Sequence, residues 1–199
     1  MRRRALVVAS VALLLLAGCA PDSATTTPDD VEGQNYQSGD GTTRQWAPDD
    51  RSGPLELAGT DFAGTAQDLA DWRGDVVVLN TWYAECPPCR AEAPDLVALA
   101  TDYAPDGVKV LGINRHDDAG TAQAFERQFE VPYPSLADTD GAAIAALQGT
   151  VPVNAVPTTV VLDRSGMVAG RILGIADPSV LRAMVDDLLL EQASGRPSP

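Results

Sequence analysis

The chain has 199 residues, with 28 acidic against 14 basic side chains and a formal net charge of −14. So acidic a surface argues against nucleic acid as a partner and against adsorption to anionic lipid, which leaves solubility as the plainest reading of the charge. Three cysteines and one histidine leave few ligands for a metal centre, and the length suits one domain of about 100–200 residues with tails.

Arg2-Arg3-Arg4 precede an apolar run from Ala5 to Ala17. A membrane-spanning helix needs about 20 apolar residues, so this shorter run has the layout of a secretory signal. It ends in Leu16-Ala17-Gly18-Cys19, which resembles the lipobox of bacterial lipoproteins. That resemblance implies cleavage before Cys19, acylation of its thiol, and a protein held by lipid at the outer face of the cell membrane. An ordinary secretory signal with a cysteine near its end is the alternative; both readings export the chain to where disulfides persist. Residues 19–52 are rich in Asp, Thr, Ser, Gly, Gln and Pro and read as a disordered tether, with Tyr36 and Trp46 its only large apolar residues. Residues 191–199 read as a frayed tail.

Residues 53–190 carry a globular pattern. Leu55 to Phe62 suggest a hairpin turning at Gly59, and Val76–Thr81 is a buried strand. A helix follows to about Tyr103, with Leu96, Leu99, Ala100 and Tyr103 on one face and a kink expected at Pro94. The strand Val108–Ile113 comes next, and strand–helix–strand at this length predicts parallel pairing by a right-handed crossover. A helix over 121–129, a loop holding Pro132, Pro134 and Gly141, and a short helix over 142–147 lead to the strand Thr158–Leu162. Asp163–Gly166 is a turn, and Met167–Leu173 the return strand. Asp177 caps a last helix with Pro178 at its first position and Leu181, Met184, Val185, Leu188 and Leu189 on its inner face. This order predicts an α/β fold with a central mixed sheet flanked by helices.

Between the first long strand and its helix stands Cys86-Pro87-Pro88-Cys89. Two cysteines at this spacing can close a disulfide within one helical turn, and strand–CxxC–helix is the setting of a redox site. Cys86 at the helix N-terminus is expected to be the more exposed, with its thiolate favoured by free N–H groups and the helix dipole, and so to be the nucleophile. Cys89, one turn in, is expected to be more buried and to resolve the mixed disulfide. Pro87 and Pro88 restrict the loop. A stabilising crosslink is the competing reading, but so short a loop gains little by crosslinking. A zinc site lacks ligands.

Trp82 with Cys86 to Arg90, and Val156-Pro157-Thr158 further on, resemble the thioredoxin fold. The lead-in Gly74 to Asn80 and the run Cys86 to Pro94 are more closely similar to the TlpA/ResA group of exported, membrane-tethered thiol–disulfide oxidoreductases. The resemblance covers roughly residues 53–190. It implies a thioredoxin-like fold with an N-terminal β-hairpin and an inserted helical segment. It also implies a cis Pro157 that exposes the backbone of Val156 to substrate, with Trp82, Glu85, Pro87 and Pro88 on the same surface. Glu92, three residues after Cys89, lies near the base of the dithiol by helix spacing. The resemblance implies that it handles protons and influences substrate choice, whereas spacing alone equally allows a solvated carboxylate. Asn80 stands where thioredoxins keep a buried acid, which makes Glu92 the better candidate for deprotonating Cys89.

Glu85 departs from the group, which usually has an aromatic residue there; its charge disfavours a neighbouring thiolate and tilts the couple towards reducing. His116, the only histidine, closes the second parallel strand at the same sheet edge, and a surface loop role is favoured for it, with a part in the site left open. A copper carrier would need Cys-x-x-x-Cys, and a peroxidase a differently framed single cysteine. The expected function is reduction of disulfides in specific exported proteins, apocytochrome c among the candidates. The expected setting is a monomer re-reduced by a membrane-bound electron donor, with no metal or cofactor beyond the redox-active pair. The alternatives are a disulfide oxidase or isomerase, and a binding module with a vestigial CxxC.

Overall fold

In the computed structural model the structure describes residues 42–149 and 155–193. The signal peptide over 1–18, Cys19, the tether up to residue 41 and the tail from 194 lie outside the described residues. Eight strands and four α-helices are described: β1 (Thr43–Gln45), β2 (Ala58–Thr60), β3 (Ala66–Asp68), β4 (Val76–Thr81), α1 (Pro87–Asp102), β5 (Val108–Asn114), α2 (Ala119–Phe129), β6 (Ser135–Ala137), α3 (Ala142–Ala146), β7 (Thr158–Leu162), β8 (Val168–Leu173) and α4 (Pro178–Ala193).

Six strands form one mixed sheet in the order β1-β8-β7-β4-β5-β6, and β2 and β3 form a separate hairpin. β4 is parallel to β5, and β5 to β6, while β7 runs antiparallel to β4, and β8 antiparallel to β7. Every residue of β4 is buried, as an unbroken Val-Val-Val-Leu run requires of a strand covered on both faces. Its alternate side chains feed two cores. Val77 and Leu79 join Leu111, Ile113, Val160 and Leu162 with Ile144 of α3. Val76 and Val78 join Val108, Val110 and Val161 with Leu96 and Leu99 of α1 and Leu181, Met184, Val185 and Leu188 of α4. Each such aliphatic side chain contributes about 1.5–3 kcal/mol when fully buried, so these clusters hold the sheet between its helices. The fold is thioredoxin-like, as expected.

Three details differ from expectation. The hairpin turns at Asp61 rather than Gly59: the Asp61 carboxylate accepts the N–H groups of Ala63 and Thr65. Gly59 lies within β2, where a Cβ would come to 3.3 Å from the Leu136 side chain, a tight contact and not a turn. Ordered structure also begins before residue 53: β1 pairs with β8. Arg51, its side chain 5% exposed, bonds Asp163 at 3.0 Å and Glu191 at 2.6 Å. These contacts bring residues 43–52 into the domain and keep Glu191 within α4. Backbone pairing and an ion pair leave no trace in composition, so a polar stretch read as tether. β6, hidden in the proline-flanked loop, is a three-residue strand beside β5. Pro94 lies inside α1, which spans Pro87–Asp102.

Candidate active site

β4 delivers the chain to its C-terminal edge, where Trp82 N–H donates to Ile113 O at 3.1 Å and Cys86 N–H to Tyr83 O at 3.2 Å. Cys86 caps α1, and Pro87 and Pro88 occupy the first helical positions, where a missing N–H costs nothing. Cys86 and Cys89 form a disulfide, with Cα atoms 5.3 Å apart. Cys89 N–H donates to Cys86 Sγ at 3.2 Å, so the helix N-terminus offers its donor to this sulfur.

The two cysteines are not distinguished by exposure. Cys86 is 1% and Cys89 2% exposed, which corrects the expectation of an exposed Cys86. In the disulfide its sulfur is turned back over the first turn of α1 and packs in a cluster with Phe62, Trp82, Ala84, Ala93, Ala122 and Phe125. The asymmetry lies in the surroundings: Cys86 takes the helix donor, whereas Cys89 lines a small, partly open cavity with Asn80, Trp82, Tyr133 and Ser135.

Trp82, expected on the substrate surface, is instead 5% exposed, its ring stacked on Phe125 at 4.4 Å between centroids. It supports the disulfide from inside because β4 and α2 close over it. Glu85 and Pro87 are exposed and Pro88 half-buried, so the loop itself forms the outer surface. The Val156–Pro157 peptide is cis, and Val156 packs, half-buried, against the disulfide cluster. Its neighbour Thr158 donates its N–H to Thr81 Oγ1 at 2.8 Å, and Pro157 O accepts Gly174 N–H at 2.9 Å, which ties this backbone to β4 and to the end of β8.

Glu92 is 1% exposed, which rules out a solvated carboxylate. Asn80 Nδ2 donates to Oε1 at 2.8 Å and Ala176 N–H to Oε2 at 3.0 Å. Burial outweighs these bonds and pushes the carboxyl up to about 7. Asn80 thus touches both Glu92 and the cavity beneath Cys89. Burial, with Glu92 and Glu126 close by, also raises Tyr133 at that cavity.

His116 is exposed, with its ring 4.9 Å from that of Tyr83. Its neighbours Asn114 and Asp117 belong to no motif but are built more firmly into the site. Asn114 is fully buried, and Asp117 Oδ2 accepts the N–H of Ala84 at 2.7 Å. The available signal was their place at the C-terminal end of β5, beside the CxxC. Among the described residues no group of three or more His, Cys, Asp or Glu is placed to hold a metal ion, and no helix is long and apolar enough to cross a membrane.

A disulfide at the start of a helix, in a thioredoxin-like sheet beside a cis-proline loop, defines a dithiol redox protein. The chain belongs to the family whose model is described as "AhpC/TSA family", which matches residues 50–171. It is 33% identical over 135 residues to the thiol:disulfide interchange protein HelX of Rhodobacter capsulatus, covering 68% of this chain and 72% of that one. It is 30% identical over 115 residues to the thiol-disulfide oxidoreductase ResA of Bacillus cereus, covering 58% and 64%. Among solved structures it resembles a secreted thiol-disulfide isomerase from Corynebacterium glutamicum, with 30% identity, a TM-score of 0.69, and coverage of 79% of this chain and 98% of that one. The protein is a thiol–disulfide oxidoreductase.

Proposed function

We propose that the Cys86–Cys89 pair, in its dithiol form, reduces disulfides in exported proteins, c-type apocytochromes among them, from a lipid anchor at Cys19 on the outer face of the cell membrane. The Cys86 thiolate attacks one sulfur of the target disulfide, forming a mixed disulfide and releasing the other target sulfur as a thiolate that takes up a proton. Cys89, deprotonated, then attacks Cys86 Sγ. This step restores the Cys86–Cys89 disulfide and frees the second target thiol, so two electrons have passed from protein to target. The N–H of Cys89 that reaches Cys86 Sγ is the observation that carries this assignment, since it stabilises negative charge on that sulfur. Glu92, held at about 7 and linked through Asn80 to the cavity beneath Cys89, is suited to accept the Cys89 proton at neutral pH. The half-buried Val156 backbone beside the cis-proline suits pairing with an extended target segment.

Direction is read from Glu85. A negative side chain beside Cys86 opposes its thiolate, and a less stabilised reduced form makes the couple more reducing. A membrane-bound donor would restore the dithiol, and the protein would act as a monomer without a further cofactor. The resemblance to a secreted Corynebacterium protein supports export. The same protein is called an isomerase, which favours disulfide isomerisation as the second reading.

The test is reduction of insulin by the full chain, lost in Cys86→Ser, together with the reduction potential. A value near about −270 mV fits a reductant, and one near about −120 mV an oxidant and so sinks the proposal. Mixed-disulfide trapping with Cys89→Ala identifies the targets.

A further inference from the structure

The peptide of Ala84, two positions ahead of the nucleophile, is held from both sides. Its N–H donates to Asp117 Oδ2 at 2.7 Å, and its carbonyl accepts from Arg90 Nη1 at 3.2 Å. Neither holder is a loose surface group. Asp117 Oδ2 also accepts from Asn114 Nδ2 at 2.8 Å. Asn114 is fully buried, and its Oδ1 accepts the N–H groups of His116 at 3.0 Å and Asp117 at 3.1 Å, closing the turn that leaves β5. Arg90 lies over the rings of Phe125 and Phe129 of α2, 5.9 and 5.1 Å from their centroids, and bonds Gln128 Oε1 at 3.2 Å. The ring of His116 meets that of Tyr83 at 4.9 Å, a second contact between the same turn and the same loop.

We propose that Asp117 is a positioning residue for the dithiol: by fixing the Ala84 peptide against Arg90 it sets where Cys86 Sγ sits relative to the N-terminus of α1. Four residues, Trp82 to Glu85, join β4 to the Cys86 cap; Trp82 and Ala84 pack in the apolar cluster, while Tyr83 is half-buried and Glu85 exposed, so the polar restraints on the loop's path are this clamp and the Trp82-to-Ile113 and Cys86-to-Tyr83 backbone bonds. The strength of the N–H donation to Cys86 Sγ depends steeply on where that sulfur stands. Asp117 touches neither sulfur; it acts through the loop. A charge-assisted bond to a part-buried main-chain N–H has the strength to do so.

The inference rests on the dithiol reading, and its test separates the two. The full chain is equilibrated with glutathione buffers, and its Cys86 thiolate is titrated by absorbance. Asp117→Ala removes the acceptor. It is expected to raise the Cys86 pKa, shift the glutathione equilibrium towards the disulfide, and slow insulin reduction about tenfold. Asp117→Asn keeps an oxygen able to accept from both Ala84 and Asn114, and is expected to stay near wild type in all three readouts. A folded Asp117→Ala with wild-type equilibrium and titration overturns the inference and leaves the site intact. Equal damage in Asp117→Asn also overturns it, because charge and not placement would then be the cause. If the wild type does not equilibrate with glutathione at all, the dithiol reading fails and takes this inference with it. Should Asp117→Ala not fold, Arg90→Lys, which keeps the charge and gives up the guanidinium's planar reach to Ala84 O, must shift the equilibrium the same way; an unshifted equilibrium overturns the clamp.

Discussion

Glu85 and Glu92 flank the disulfide with the same carboxylate in opposite surroundings. Glu85 stands in the loop before Cys86 and is exposed; Glu92 lies in α1 beyond Cys89 and is 1% exposed. Water screens the first, so its influence on the sulfur is a weak Coulombic one. The second is cut off from water and meets only two donors, Asn80 Nδ2 and Ala176 N–H, so burial lifts it to about 7. The dithiol has an outer side where water weakens the effect of charge, and an inner side where burial lifts a single carboxyl to about 7.

The comparison can be broken from either side. The largest effect belongs to Cys86→Ser, which should abolish insulin reduction, while Cys89→Ser should retain mixed-disulfide formation with targets; equal capture by both variants would end the assignment of roles. Next, Phe125→Ala removes the ring under Trp82 behind the disulfide. It should destabilise the domain by about 3–5 kcal/mol in urea unfolding, with insulin reduction impaired even at temperatures where the variant stays folded.

Glu92 makes a prediction about pH with a definite sign. Its carboxyl is raised from 4.5 to about 7, so the folded state keeps a proton that the unfolded state has released. The stability this provides is full below about pH 4.5, falls as pH rises, and is gone above about 7, a loss of about 3 kcal/mol across that window. Glu92→Gln should flatten this slope, so that unfolding free energies of variant and wild type diverge between about pH 4.5 and 7 in favour of the variant. Parallel curves would show that Glu92 titrates as an ordinary carboxyl, and the inner side would lose its distinction. The smallest effect is expected from Glu85→Gln: a Cys86 thiolate pKa slightly lower than wild type and a slightly less reducing potential, both fading as salt is added. A shift as large as that of Asp117→Ala, or one insensitive to salt, would place Glu85 on the inner side after all.

Much of the architecture was legible because it is written in local pattern. The Val76–Leu79 run can only be a strand covered on both faces, and Pro178 after Asp177 marks the start of α4. The features that local pattern does not carry have non-local causes. β1 is held by pairing with β8, and Arg51 by carboxylates far along the chain, so neither shows in the residues around it. Asp61 took the turn from Gly59 by accepting two N–H groups, a competition that composition does not decide.

The same division runs through the site. The CxxC spacing, its place after a buried strand, and Glu92 one helical turn beyond Cys89 are properties of the chain itself, because strand and helix periods set which residues neighbour one another. Tertiary packing alone decided that Trp82 lies beneath the disulfide on Phe125, that both cysteines are covered, and that Asp117 reaches Ala84. It also decided the protonation of Glu92. A carboxyl's pKa depends on how much water and how many donors surround it, and those arrive from β4 and from the loop before α4 only when the chain is folded.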